Sequence, residues 1–388
     1  MTKNFEQPIR VANIIEEGRL GGPQTRMALV ASKLNKEINI TFIFPKKNSK
    51  DFQKRCVSDG INYFLFPFTS VSRNWFNILR YLILFPFEVF MLLKYLKKNS
   101  FDMVHVSGGS RQIKGIIAAK LAKIKVIWEL NDTYAPLFVR VIFFFISQLA
   151  DSLVFASERT KEYYETLTPK YKKSFLIQSP VNTSFYDPSS DLPLEGFIKR
   201  NIEEKKIIIG TVANVSPVKD FKLFIKIAQK LSLHSSKLTF IVIGSVHNSQ
   251  KKYYEDLLDD INKLGMKNFF FLGPRLDVRP FLKIMDIYIC SSKNESSPLS
   301  LLEAMSMEKA IVSTDVGDVS KFITNGDNGF FIKNGDDSAF VIYIKKLIDN
   351  EILRYNFGKS AREVVKQKFD LKICADNHLD MYQKIFDQ

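Results

Sequence analysis

Short apolar runs alternate along the whole chain with longer segments in which apolar residues recur every three or four positions. Runs at residues 10–15, 38–44, 63–68, 102–107, 126–130, 151–156 and 174–178 have the length and composition of strands. The theme repeats at residues 206–212, 238–244, 268–273, 287–290, 310–313 and 330–332. Helical spacing fills the intervals, most plainly at residues 25–34, 221–231 and 338–386. Strand, turn, helix and strand in this order make βαβ units, so each half predicts a parallel sheet of the α/β class. The turn-rich stretch from Ser179-Pro180 to Asp187-Pro188 interrupts the alternation and marks a domain boundary. Residues 1–183 and 184–370 are therefore expected to form separate domains, with the weakly patterned residues 189–206 on the surface.

The stretch most suited to chemistry is residues 286–317. A strand-like run ends at Cys290, polar residues follow, and an apolar helical pattern runs through Leu299, Leu302 and Met305. Ser297 is placed to cap that helix, and Pro298 suits its first position because a missing N–H costs nothing there. The mouth of a helix that follows a parallel strand gathers free N–H groups and positive dipole, which favours a phosphate. Glu295 precedes the mouth and Glu303 lies inside the helix, about 7.5 Å along the axis from Pro298 at 1.5 Å per residue. Side chains lean toward a helix start, so Glu303 is expected to overhang a ligand seated there. Carboxylates accept hydrogen bonds from sugar hydroxyls better than they meet phosphates. The pattern suits a diphosphate with a sugar on each side, although a solvated helix also explains many such acidic pairs.

Composition narrows the partners. At 388 residues the chain can bury two cores, and 46% apolar and 25% charged residues are ordinary for a globular protein. The three cysteines, Cys56, Cys290 and Cys374, lie far apart without metal-binding spacing, which argues for a reducing compartment and no zinc site. The first ten residues lack the apolar core of a signal peptide, and no run approaches eighteen uninterrupted apolar residues, so no transmembrane helix is expected. Residues 1–190 hold 27 Lys and Arg against 15 Asp and Glu, a net +12 of the total +15. Such a basic half could face an anionic bilayer, an anionic acceptor or nucleic acid, and the last is least favoured because no nucleic-acid-reading motif is present. Residues 75–98 are apolar on several sides, carry Pro86 and Glu88, and are flanked by Arg73, Arg80, Lys94, Lys97 and Lys98. Pro86 is expected to kink or split this segment. It reads either as an amphipathic helix in a membrane surface or as a core helix with a basic edge, and aromatic residues 138–149 add weight to the first.

Glu295-x7-Glu303, followed by Ala304-Met305 and Asp315-Val316-Gly317, resembles the donor signature of the retaining glycosyltransferases of family 4. The resemblance implies the GT-B fold, two Rossmann-like domains whose parallel sheets face a central cleft. It implies that Glu295 touches the transferred sugar and that Glu303 holds the nucleotide ribose. Backbone amides around Ser297, Leu299 and Ser300 would then meet the diphosphate. Gly21-Gly22-Pro23-Gln24, with Arg26 and an apolar helix behind it, looks like the family's first loop, whose glycines face the donor phosphates. Locally, the glycine pair reads equally as an ordinary tight turn or as a close approach to a ligand. Lys219 matches a family lysine on the diphosphate, where its surroundings alone would read as a solvent lysine. Asn214 stands where an arginine is usual, so one positive charge is missing from that position. The turn Pro274-Arg275-Leu276 corresponds to the one that receives the nucleobase, although Arg275 alone reads equally as a surface residue.

On the acceptor side this chain departs from the family. The strand at residues 102–107 commonly reads His-x-His there, and Ser107 replaces the second histidine. His105 alone reads as a packed core residue. Asn131-Asp132 stands where His-Asp is common. The helical pattern ending near Tyr382 resembles the family's closing helix, so residues 371–388 are expected to cross back onto the first domain. The implied activity is metal-independent transfer of a sugar, with no cofactor, from a UDP- or GDP-linked donor to a glycan or lipid-linked acceptor in surface polysaccharide synthesis. The cytoplasm, or the inner face of the plasma membrane, is the implied location. Glu295 and Lys219 would carry the catalytic work. A nucleotide-sugar epimerase on the same fold, and a silent family member acting as a binding partner in glycan assembly, are the alternatives.

Overall fold

The computed structural model describes residues 8–69, 75–169, 173–193, 196, 204–333 and 335–388. Arg73 and half of residues 189–206 lie outside this set. The chain divides into two compact units, residues 1–180 with 371–388, and residues 181–370. The observed boundary thus falls three residues before the expected one, inside the turn-rich stretch.

The first unit is built on seven parallel strands in the order β3-β2-β1-β4-β5-β6-β7. These are β1 (Ile9–Ile14), β2 (Ile38–Phe44), β3 (Asn62–Leu65), β4 (Met103–Ser107), β5 (Lys125–Leu130), β6 (Ser152–Phe155) and β7 (Ser174–Leu176). Val11 pairs with Ile40 on one side and with Met103 on the other, so β1 is central. Its apolar residues are buried from both directions, which is why the strands read as continuous runs. Helices α1 (Gly22–Lys33), α2 (Lys50–Ser58) and the C-terminal α14 (Leu371–Phe386) cover one face through Met27, Phe52, Met381 and Tyr382. Helices α3 (Trp75–Asn99), α4 (Lys114–Leu121), α5 (Leu137–Ser147) and α6 (Glu158–Glu165) cover the other through Leu92, Leu96, Ile116, Phe143 and Tyr164.

Two expectations for this unit need correction. Helix α1 starts at Gly22, three residues earlier than the apolar pattern suggested, because Gly21 in extended conformation with proline behind it already sets a helix start. Helix α3 runs through Pro86 as one element of 25 residues, so Pro86 does not split it. Pro86 and Leu82 are both exposed, so the Leu82 carbonyl that loses its amide partner lies on the solvent side. The buried Glu88, Leu92 and Leu96 then hold the second half of the helix against the sheet.

The second unit has six parallel strands in the order β10-β9-β8-β11-β12-β13. They are β8 (Ile207–Val212), β9 (Leu238–Ile243), β10 (Phe269–Gly273), β11 (Ile287–Cys290), β12 (Ala310–Thr314) and β13 (Phe330–Ile332). Its helices are α7 (Phe221–Ser232), α8 (Lys251–Lys263), α9 (Arg279–Ile284), α10 (Leu299–Ser306), α11 (Val319–Phe322), α12 (Asp337–Ile348) and α13 (Glu351–Lys368). One sheet face packs against α7, α8 and α12, the other against α9, α10 and the buried side of α13. The strand order reverses between β8 and β11, and ligands of doubly wound sheets gather at the carboxyl ends of strands at such a point.

Candidate functional site

Three loops of the second unit meet at the carboxyl ends of β8, β11 and β12. The loop after β8 closes in a short 3-10 turn, Pro217–Lys219, and Asp220 follows in the left-handed conformation at φ 48°. Ser291 Oγ donates to the Lys219 carbonyl at 2.8 Å, and the Lys293 amide donates to the Val218 carbonyl at 2.8 Å. The loop after β11 is thereby stitched to the loop after β8. From the other side Thr314 Oγ1 donates to the Ser292 carbonyl at 2.6 Å. Gly317 completes the assembly with φ 53°, and a Cβ there would overlap the Ser296 carbonyl oxygen. Only glycine allows the loop after β12 to press so closely on the loop that carries Glu295.

This scaffold holds Lys219 and Glu295 in direct contact, the ammonium of one on the carboxylate of the other. Ser292 Oγ donates to the same Glu295 oxygen at 2.9 Å. Both charged side chains keep some exposure, 25% for Lys219 and 16% for Glu295, so the pair faces solvent without being free in it. Next to them, α10 begins at Leu299 with Pro298 as its cap residue and no side-chain cap. Ser297 therefore lies outside the helix and does not cap it, because the helical turn starts one residue later than expected. The uncapped mouth leaves its first amides available to an anion. Tyr288, buried under this mouth, donates to Ser300 Oγ at 2.9 Å and fixes its rotamer.

Glu303 sits in the second turn of α10, partly buried. Burial pushes its carboxyl up to about 7, and a hydrogen bond from Tyr186 pulls the other way. Asn214 accepts from Ser245 Oγ at 2.8 Å, which ties its side chain to the loop after β9. Arg275 is exposed, with its guanidinium 5.3 Å from the centroid of the Phe281 ring, and Leu276 beside it is fully exposed. A small cavity behind these loops is lined by Asp220, Ser291, Lys293, Thr314, Lys333 and Asp336. Among the described residues no group of His, Cys, Asp and Glu is arranged to hold a metal ion.

In the first unit, Gly21 has φ −148°, open to any residue, and a Cβ there would meet the flexible Gln24 side chain at 3.3 Å and the Arg19 carbonyl only at 3.9 Å. Gly22 has nothing within 4 Å of where a Cβ would lie. Nothing inside the unit requires either glycine. The three acceptor-side residues are all engaged internally. Ser107 is fully buried and accepts from Asn13 Nδ2 at 3.1 Å, Asn131 donates to Glu129 at 3.0 Å, and Asp132 accepts from Ser110 Oγ and Tyr164, each at 2.8 Å.

Two buried ionic clusters in this unit escaped sequence reasoning, because their members are far apart in the chain. Glu129 lies 3.1 Å from Arg26, 3.3 Å from His105 Nε2 and 3.8 Å from His378 Nε2, and His105 Nδ1 lies 2.6 Å from the Tyr382 hydroxyl. His105 is thus a core residue, as its strand context suggested, with an ionic partner. Lys114, the first residue of α4, donates to Glu88 of α3 at 2.6 Å and lies 3.7 Å from Glu16. Its ammonium also sits 4.2 Å from the Tyr81 ring centroid.

Residues 195–364 match the family model of the glycosyl transferases group 1. The match spans most of the second unit. It is 24% identical to an N,N'-diacetylbacillosaminyl-diphospho-undecaprenol α-1,3-N-acetylgalactosaminyltransferase of Campylobacter jejuni, over 93% of this chain and 95% of that protein. It is 23% identical to an Escherichia coli UDP-Gal:α-D-GlcNAc-diphosphoundecaprenol α-1,3-galactosyltransferase, over 75% of this chain and 77% of that one. The structure of Anabaena HepE in complex with UDP-glucose superimposes with a TM-score of 0.83 at 15% identity, covering 97% of this chain and all of that one. Both units therefore match the parallel-sheet α/β domains of GT-B glycosyltransferase structures.

Proposed function

We propose that this glycosyltransferase moves a sugar, with retention of configuration, from a UDP- or GDP-linked donor to a lipid-linked acceptor or growing surface glycan. The observation that carries the reading is the Lys219–Glu295 contact at the switch point of the second sheet, beside the uncapped mouth of α10. As the bond between anomeric carbon and diphosphate breaks, negative charge grows on the leaving oxygen. Lys219 and the α10 amides supply a positive site for that charge, and preorganised stabilisation of this kind contributes most of the rate enhancement in many enzymes. Glu295, relieved of Lys219, accepts from hydroxyls of the transferred sugar, and Glu303 from the ribose. The acceptor oxygen attacks on the face the diphosphate leaves, and its proton passes to the departing phosphate oxygen, so no protein nucleophile is consumed. The donor is a substrate, and neither a prosthetic group nor a metal is invoked.

The acceptor class follows from the two relatives above, whose names specify diphospho-undecaprenol acceptors, and from the surface of the first unit. Trp75, Phe76, Leu82, Ile83 and Phe87 of α3 and Leu137, Phe138 and Phe145 of α5 are each more than half exposed, on helices that pack on the same side of the sheet. Arg80, Lys94, Lys97, Lys98 and Arg140 are exposed on the same two helices. Apolar residues rimmed by cations suit contact with an anionic bilayer, and the inner face of the plasma membrane fits three free, buried cysteines. By length and mean hydropathy α3 could cross a membrane, contrary to the expectation from uninterrupted runs, but its ion pair and core contacts hold it to the sheet.

A panel of UDP- and GDP-sugars read by thermal shift, followed by incubation of labelled donor with membrane extract, tests the reading. A stabilising donor and label in the lipid fraction are expected. Epimerised donor, or donor binding without transfer in any extract, overturns it.

A further inference from the structure

Tyr288 of β11 is buried, and its hydroxyl joins two elements at the switch point of the second sheet. It donates to Ser300 Oγ, in the first turn of α10, at 2.9 Å. On its other side lie the carbonyl and the amide of Val212, the last residue of β8, at 3.3 and 3.5 Å. The hydroxyl has a single proton, which goes to the nearer acceptor. Ser300 itself is partly exposed. At this mouth the Leu301 and Leu302 amides turn back to the Pro298 carbonyl, at 3.0 and 3.3 Å, which leaves those of Leu299 and Ser300 without an intrahelical partner. We propose that Tyr288 is a positioning residue for the donor diphosphate: by donating to Ser300 from the core side, it leaves the Ser300 proton to a phosphate oxygen beside those two amides. The inference rests on the placement of the diphosphate at the mouth of α10.

A serine hydroxyl has one proton and two acceptor positions, and an ionised phosphate oxygen only accepts. Without a donor beneath it, Ser300 is free to turn its proton toward the core and present a lone pair to the incoming anion. With Tyr288 donating, one acceptor position is filled and the order runs from tyrosine to serine to phosphate, each bond polarising the next. Burial raises the Tyr288 hydroxyl above its ordinary value, so it stays protonated near neutral pH. The Tyr288 ring belongs to the same buried cluster as Leu301, Leu302 and Met305 of α10. Tyr288→Phe keeps the ring in that cluster and removes only the hydroxyl.

Calorimetric titration of the full chain with UDP and with GDP tests the inference through a double-mutant cycle. The parent is expected to bind one of the two nucleotides, and Ser300→Ala to bind it about tenfold more weakly, as the loss of a hydrogen bond to a charged group requires. Tyr288→Phe is expected to weaken binding about threefold. Added to Ser300→Ala it should cost nothing further, because the tyrosine acts only through the serine. A residue with a merely structural role would instead multiply the two losses. Tyr288→Phe that binds like the parent, or losses that multiply in the double variant, overturn the positioning role alone. Ser300→Ala, at a partly exposed position, gives a test that does not depend on folding at 288: affinity equal to the parent's also overturns the inference. Lys219→Ala separates the two levels. If it and Ser300→Ala both bind like the parent, or the parent binds neither nucleotide, the diphosphate is not at this mouth and the reading of the site fails too.

Discussion

Gly317 carries more of the site than its size suggests. Its φ of 53° and the nearness of the Ser296 carbonyl leave no room for a side chain, so two loops meet that would otherwise be pushed apart. A non-glycine residue in the left-handed region costs about 1–2 kcal/mol before any overlap is counted. Gly317→Ala is expected to lower the stability of the second unit by about 2 kcal/mol or more and to displace Glu295. Urea unfolding followed by nucleotide-sugar titration reads both effects, and an unchanged midpoint and affinity would refute the packing argument. Lys219 shows a complementary economy. It and Glu295 neutralise each other, so neither charge is left uncompensated in their partly exposed contact.

At the level of single elements, α3 shows how one helix can serve a core and a surface at once. Its inward residues Val89, Leu92 and Leu96 join the sheet, and Glu88 reaches the Lys114 ammonium. Its outward residues are the large apolar side chains described above. A buried ion pair contributes little net stability but is costly to break, so the Glu88–Lys114 pair fixes which side of an otherwise apolar helix faces inward. If the outer side rests on lipid, sedimentation with vesicles containing anionic phospholipid should exceed that with neutral vesicles several-fold. Binding to the anionic vesicles should also fall steeply when salt is raised toward 1 M, where the Debye length shrinks to about 3 Å. Replacing Phe76, Leu82 and Phe87 by serine should remove the remainder. Sedimentation indifferent to lipid charge, salt and these substitutions would exclude the surface as a membrane contact.

Across the whole molecule, each sheet reverses its strand order once, and Lys219, Glu295 and the start of α10 cluster at one of those two points. That much was legible in the sequence: apolar runs located all thirteen strands among the described residues to within a few positions, and Pro298 ahead of the Leu299–Met305 pattern marked the helix mouth. What stayed hidden depends on residues distant in the chain. No local pattern joins Glu129 to His378, or Glu88 to Lys114, since each pair meets only after the sheet and its helices have formed. Nor could periodicity reveal that Pro86 would be tolerated, because that depends on which side of α3 meets solvent.

The Glu129 cluster gives the first unit a pH response. Burial alone would raise the Glu129 carboxyl, but Arg26 and the two histidines outweigh it and hold the group well below the usual carboxylate range. Burial lowers His378 below its ordinary 6.5. Both shifts mean that the unfolded chain binds more protons at these two groups, so the contribution of this cluster should rise with pH from the carboxylate range up to about 6.5 and then level off, whereas Glu16, raised by burial to about 7, contributes in the opposite sense. The difference in urea midpoint between the parent and His378→Gln isolates the cluster and is expected to grow in the parent's favour from pH 4.5 to 7.5. A difference that shrinks over the same interval would contradict the sign.

The same cluster has a bearing on synthesis. Helix α14 supplies His378 and Tyr382 to a core whose other members are all encoded before residue 181, while residues 181–370 form a unit of their own. The ribosome therefore delivers the second unit complete while the first still lacks its final 16-residue helix. Until α14 has been translated, the apolar residues of α1 that pack on it remain uncovered, which exposes the nascent first half to misassembly and leaves the finished second half free to fold ahead of it.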